Sequence, residues 1–351
     1  MSKRGVILVR LLFLALSLNG CSHRNASDSP AARATLGGIS EKNFARLVSL
    51  YLRGRTTMMP WAGYWWPFTT DGISDAAVKY ENARGSTGAS DWEMKHHGVS
   101  APGLQSWFGH CNGWAAASAL FPEPQSSRDI SGVTFSIADQ KALLTEIGME
   151  VSADYFGHRA NTNDPEDPAF QDIFPDQFFL VLTNYTGKGL PAVMDRYTGD
   201  QVWNQPIAGY QFEPVKASDY LGADPSAPGV YRMVMTVQLW WVRDDVSPGQ
   251  VTEAFNFADG PSYSSRTLGM EIWFDAPAVF SGDTLLSSGD VILSPYAETV
   301  GGGVWNLGGL DPADSHPDYI WIPHAVTPPT VYSNPMIEAA WVKQMGTLTE
   351  F

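Results

Sequence analysis

Cysteine and positive charge are both scarce in this chain: its 351 residues include two cysteines, and 22 Lys and Arg stand against 37 Asp and Glu. Two cysteines, Cys21 and Cys111, allow at most one intrachain bridge, which excludes a disulfide-stapled scaffold. A formal net charge of −15 with no long Lys/Arg run argues against nucleic acid as a partner, because phosphate backbones would be repelled. Long apolar runs are missing too, apart from a short one near the N-terminus that cannot span a bilayer as a permanent helix. What is present is core-forming material: 44% hydrophobic and 12% aromatic residues, ample for one or more globular domains.

The N-terminus reads as an address. Lys3, Arg4 and Arg10 flank the apolar segments Val6–Val9 and Leu11–Leu16, as in a signal peptide. The run ends in Leu18-Asn19-Gly20-Cys21, which resembles a bacterial lipobox whose Cys becomes the lipid-carrying first residue; cleavage nearer His23–Ala34 by an ordinary signal peptidase is the alternative. The resulting organisation is a signal peptide over 1–20, a polar tether over 21–38 and a folded domain over 39–351. Ser22 points to the outer membrane or cell surface by lipoprotein analogy, so the protein is expected in a bacterial cell envelope, held to the membrane by its lipid. A lipidated Cys21 cannot pair with Cys111, which leaves a lone thiol in an exported protein.

Apolar spacing predicts helices over Ser40–Arg53 and Ile137–Gly148. Asn161–Asp176 reads as loop from its Asn, Asp and Pro. Strands are predicted at Phe178–Thr183, Pro191–Asp195, Gly229–Val242, Leu268–Phe274 and Val291–Leu293 from their β-branched and aromatic content. Helices before mostly antiparallel strands make an α+β fold in which a helical side packs on a sheet. The aromatic segment Trp61–Trp66 serves as core lining or as a groove wall.

The most informative segment is Gln105 to Ser118. Gly109 permits a tight turn, and Trp114 followed by an Ala run reads as a buried helix, so Cys111 falls at a helix N-terminus. Unpaired N–H groups and the helix dipole favour thiolate there, which makes Cys111 a candidate nucleophile against the alternative of an inert buried cysteine. Gln105, six residues earlier, resembles the oxyanion-binding Gln of papain-like cysteine enzymes.

Five ordered blocks resemble the transglutaminase elicitor family: Pro60–Tyr64, Gly109–Trp114, Asp139–Leu143, Gln201–Pro206, and Gly302–Trp305 leading to Ser315–Trp321. The resemblance implies a papain-like/transglutaminase-like fold and an acyltransferase acting on Gln and Lys of protein or peptide substrates, with no cofactor. A thiolate attacks a Gln carboxamide, ammonia leaves, and the acyl group passes to an amine. Such chemistry needs a base and an orienting group. His316 is chosen as base because Asp314 and Asp318 flank it, with Asp318 the preferred orienter and Asp314 the alternative. His110 would point away from Cys111. Where family members carry Phe-His, this chain has Phe178-Phe179, followed by Asp195 as an alternative catalytic carboxylate.

No metal site is expected: His96 and His97 are adjacent and point apart, and the acidic loop Asn163–Asp167 lacks an EF-hand pattern. Alternatives to acyl transfer are a thiol protease, a Gln deamidase, or a surface binding protein on a degenerate scaffold.

Overall fold

A computed structural model describes residues 39–157, 173–197, 201–293, 303–306 and 316–345. The signal peptide, most of the tether, Cys21, His158, the acidic loop and Asp314 lie outside the described residues.

Seven α-helices are described: α1 (Phe44–Tyr51), α2 (Ser74–Arg84), α3 (Ala89–His97), α4 (Cys111–Leu120), α5 (Ile137–Gly148), α6 (Pro175–Asn184) and α7 (Ala339–Met345). The strands are β1 (Arg53–Arg55), β2 (Arg128–Ile130), β3 (Val133–Phe135), β4 (Val151–Gly157), β5 (Val193–Asp195), β6 (Asn204–Phe212) and β7 (Tyr220–Ala223), then β8 (Tyr231–Val242), β9 (Tyr263–Phe274), β10 (Val279–Ser281), β11 (Thr284–Ser287), β12 (Gly303–Asn306) and β13 (Tyr319–Val326). Nine strands form one sheet in the order β12-β9-β8-β6-β5-β13-β4, with β1 on β6 and β7 on β8; its ladders are antiparallel. The mixture of helices with an antiparallel sheet is thus present.

Alternation along the strands gives the sheet two apolar faces. Val193, Ala208, Trp240, Val242, Tyr319 and Trp321 pack with Cys111, Trp114 and the Ala run of α4. Met194, Ile207, Tyr210, Leu239, Ile320 and Ile322 turn the other way, onto Phe178–Leu182 of α6. Behind α4 lies α5, which follows a Ser136 N-cap with a reciprocal Asp139 bond. The two helices approach closely at glycine: a Cβ on Gly113 would lie 2.4 Å from the Thr145 carbonyl oxygen, and one on Gly148 would lie 2.3 Å from that of Gly113.

The predicted strand at Phe178–Thr183 is a helix. Pro175 at its start and the all-round burial of Phe178–Asn184 explain both the helix and the misreading, because an apolar run enclosed on every side carries no period. Asp176, assigned to the preceding loop, belongs to that helix. Val291–Leu293 forms no named strand; Val291 makes an isolated bridge to Phe274.

Candidate functional site

Cys111 is the first residue of α4, with His110 as N-cap, and is fully buried. Gly109 is needed just before it, since a Cβ there would meet the Trp65 ring and carbonyl at 2.5 and 2.6 Å. The sulfur lies 3.7 Å from the carbonyl oxygen of Val202. Contrary to the expectation of a lone thiol, Cys111 is disulfide-bonded. The sequence holds one other cysteine, Cys21. A sulfur in a disulfide cannot also carry a thioether-linked lipid, so a bridge to Cys21 within one chain and lipidation of Cys21 exclude each other.

Two acidic residues predicted from the sequence are joined through their main chains at the start of β13. The backbone N–H of Asp318 donates to the backbone oxygen of Asp195 at 3.1 Å, and both residues are fully buried. Asp195 stands opposite Asn204 in the β5–β6 ladder, and its Oδ1 accepts from the Trp203 N–H at 2.8 Å. Val193 faces α4 and Met194 faces α6, so alternation turns Asp195 to the α4 side, the side of Cys111. The Asn204 side chain, which accepts from Trp321 Nε1 at 2.8 Å, lies on that side as well.

His316 is not brought to Cys111. Its ring stacks on Trp305, centroids 5.1 Å apart and 5° from parallel, and Trp305 packs with Phe178 on the α6 side of the sheet. Nδ1 of His316 donates to the carbonyl of Pro317 at 2.9 Å, so main chain rather than the Asp318 carboxylate fixes its tautomer. Burial, only partly opposed by that carbonyl, pushes its pKa down to about 4. This is the environment of a neutral core histidine. Gln105 is exposed on the turn before α4, its Oε1 accepting from Trp107 Nε1 at 2.7 Å.

His110 points away from Cys111, as expected, but into a cluster that sequence reasoning missed. Glu93 and His97 of α3, His110, and Glu146 of α5 are all buried, and each offers a potential ligand atom within 4.8 Å of the others. His110 Nε2 is 2.9 Å from Glu93 Oε1, 3.1 Å from Glu146 Oε2 and 3.1 Å from His97 Nδ1. His97 Nδ1 is 3.3 Å from Glu93 Oε1 and 4.0 Å from Glu146 Oε2. Burial disfavours charge on both His110 and Glu93, yet their mutual attraction outweighs it: His110 is pushed up to about 10 by Glu93 and Glu146, and Glu93 falls well below the usual carboxylate range beside His97 and His110. The signal available in the sequence was the i, i+4 spacing of Glu93 and His97 on one helix face; the adjacency of His96 and His97 drew attention from it.

Among the described residues no helix is long and apolar enough to cross a membrane. The sequence model of the transglutaminase elicitor family matches residues 84–226, a span that contains Cys111, the buried cluster, Asp195 and the Gln201–Pro206 block. No curated protein matches the chain. The fold is similar to that of the GP42 transglutaminase from Phytophthora sojae, with a TM-score of 0.63 and 21% sequence identity over 92% of this chain and 99% of that one. Three of the five sequence blocks, Gly109–Trp114, Asp139–Leu143 and Gln201–Pro206, thus fall within the span matched by the transglutaminase elicitor family, and the fold is similar to that of a transglutaminase across most of the chain.

Proposed function

We propose that this protein is a cysteine-dependent acyltransferase of the transglutaminase type, with Cys111 as nucleophile and Asp195 as a carboxylate on the same face of the sheet. The observation that carries the reading is the placement of Cys111: first residue of a buried helix, where the first-turn main-chain N–H groups have no intrahelical partner and the helix dipole favours a thiolate. In the reaction the Cys111 thiol gives up its proton, the thiolate adds to the carboxamide carbon of a protein Gln, and as the C–N bond breaks the leaving nitrogen takes up that proton and departs as ammonia. A Lys amine then attacks the thioester, loses its proton and releases the thiolate. Because Cys111 is disulfide-bonded, this chemistry starts only after that bond is reduced.

The leader-like N-terminus supports an exported protein of the cell envelope, and a disulfide fits an oxidising compartment. Anchoring through lipid on Cys21 is part of the proposal only for chains whose Cys111 is not bridged to Cys21. Incubating the reduced protein with a Gln-containing peptide should add the peptide mass less ammonia to the tryptic fragment holding Cys111. Release of new peptide N-termini instead of ammonia would mean proteolysis, and ammonia release with no amine uptake would mean deamidation.

A further inference from the structure

We propose that Glu93, His97, His110 and Glu146 form a structural metal site for a zinc-class divalent ion, which ties α3 and α5 to the residue that caps the nucleophile helix. The inference does not depend on the acyl-transfer reading.

The geometry is that of a closed four-ligand site. Zinc bound to imidazole and carboxylate at about 2.0 Å in a tetrahedron separates its ligand atoms by roughly 3.3 Å. Five of the separations in the cluster run from 2.9 to 4.0 Å. The tautomer agrees as well. His110 Nδ1 lies 3.2 Å from the carbonyl oxygen of Trp66, which can only accept, so Nδ1 carries a hydrogen and Nε2 is the ring nitrogen that faces the cluster, where an ion would take the place of its proton. A ligating histidine is commonly oriented through this kind of outer hydrogen bond.

Protons alone serve these groups poorly. His110 Nε2 faces two carboxylate oxygens and the His97 Nδ1 and can hold one hydrogen to share between the carboxylates. Glu93 Oε2 and Glu146 Oε2 are enclosed without a hydrogen-bond partner, although Glu146 Oε2 is close to the His110 ring. A divalent cation balances two carboxylates with both rings neutral. Two imidazole nitrogens select a borderline ion such as zinc over calcium, which takes six to eight oxygens.

The surroundings are shaped for rigidity. The His97 ring stacks on Phe68 at 4.6 Å and meets Trp92 edge-on at 5.0 Å. Gly72, at φ +55°, passes so close that a Cβ would lie 2.8 Å from His110 Cε1 and 2.9 Å from Glu93 Oε1. The ligands come from two helices and an N-cap, so the ion would fix where α4 begins and hence where Cys111 stands.

The full chain, stripped with a chelator and then titrated with Co2+, should develop the intense visible d–d absorption of a tetrahedral site at about one equivalent, and Zn2+ should displace it. Elemental analysis of Zn2+-reconstituted protein should give one zinc per chain. Cys111→Ser should bind cobalt as the unsubstituted protein does, which separates this site from the thiol chemistry. Glu146→Gln and His97→Ala should each weaken binding by about a hundredfold or more, given that even outer-shell losses cost 10- to 100-fold. Should either fail to fold, the titration of the unsubstituted protein still decides. A folded chain that binds neither Co2+ nor Zn2+ near stoichiometry, or whose cobalt spectrum vanishes in Cys111→Ser, overturns the proposal.

Discussion

His316 provides a quantitative test of the buried environment found for it. Its pKa falls from an ordinary 6.5 to about 4 in the folded chain because burial penalises the imidazolium. Below pH 6.5 the unfolded chain takes up a proton that the folded chain refuses, so stability is full above 6.5 and is lost as pH falls towards 4. The full shift corresponds to about 3 kcal/mol at 1.36 kcal/mol per pH unit, of which about 2.5 kcal/mol is lost by pH 4.5. The perturbation is His316→Phe, which keeps a ring against Trp305 and removes the titrating group. At pH 7 the variant gives up the bond to Pro317, about 1 kcal/mol. Between pH 7 and 4.5 it should lose about 2.5 kcal/mol less stability than the parent, measured by urea unfolding followed through tryptophan fluorescence. Equal losses in the two proteins, or an NMR titration of His316 with a midpoint near 6.5, would refute the reasoning.

Three further expectations follow from the packing. Lys141, enclosed and holding Glu123 at 2.7 Å with the carbonyls of Ala62 and Gln250 at 2.8 Å each, should be intolerant of Met: removing the ammonium leaves the Glu123 carboxylate without its counter-charge, held only by the Thr252 N–H and hydroxyl, and takes a donor from two carbonyls, a loss of about 3 kcal/mol in urea unfolding, whereas a loss under about 0.5 kcal/mol would contradict the network. Gly113→Ala would push a methyl into the Thr145 carbonyl and should cost about 1–3 kcal/mol or prevent folding; an unchanged melting temperature would show that α4 and α5 can part without penalty. Cys111 should resist iodoacetamide in the unreduced, denatured protein and react after a reductant is added, a difference read by peptide mass.

Much of the scaffold was legible in local pattern. The helix at Ile137–Gly148 and the long strands around Gly229–Val242 and Leu268–Phe274 follow from spacing that one buried face imposes. Gly109 and the Ala run announced a helix starting at Cys111, because only small side chains permit the approach of α5 seen at Gly113. Phe178–Thr183 was not legible as helix, since burial on all sides erases periodicity. In the site, alternation correctly pairs residues along one strand but does not say which face of the sheet a distant residue meets. His316 was therefore assigned to Cys111 although its ring packs on Trp305 across the sheet. The Glu93, His97, His110 and Glu146 cluster joins residues up to 53 positions apart and depends on the α3, α4 and α5 packing, which no single window of sequence records.

The central claim is that Cys111 carries the acyl group. Reduced protein should incorporate a biotinylated primary amine into a Gln-bearing acceptor protein, and Cys111→Ala, checked for folding by circular dichroism, should bring the incorporation to background. Labelling that continues undiminished in the folded Cys111→Ala protein would contradict it.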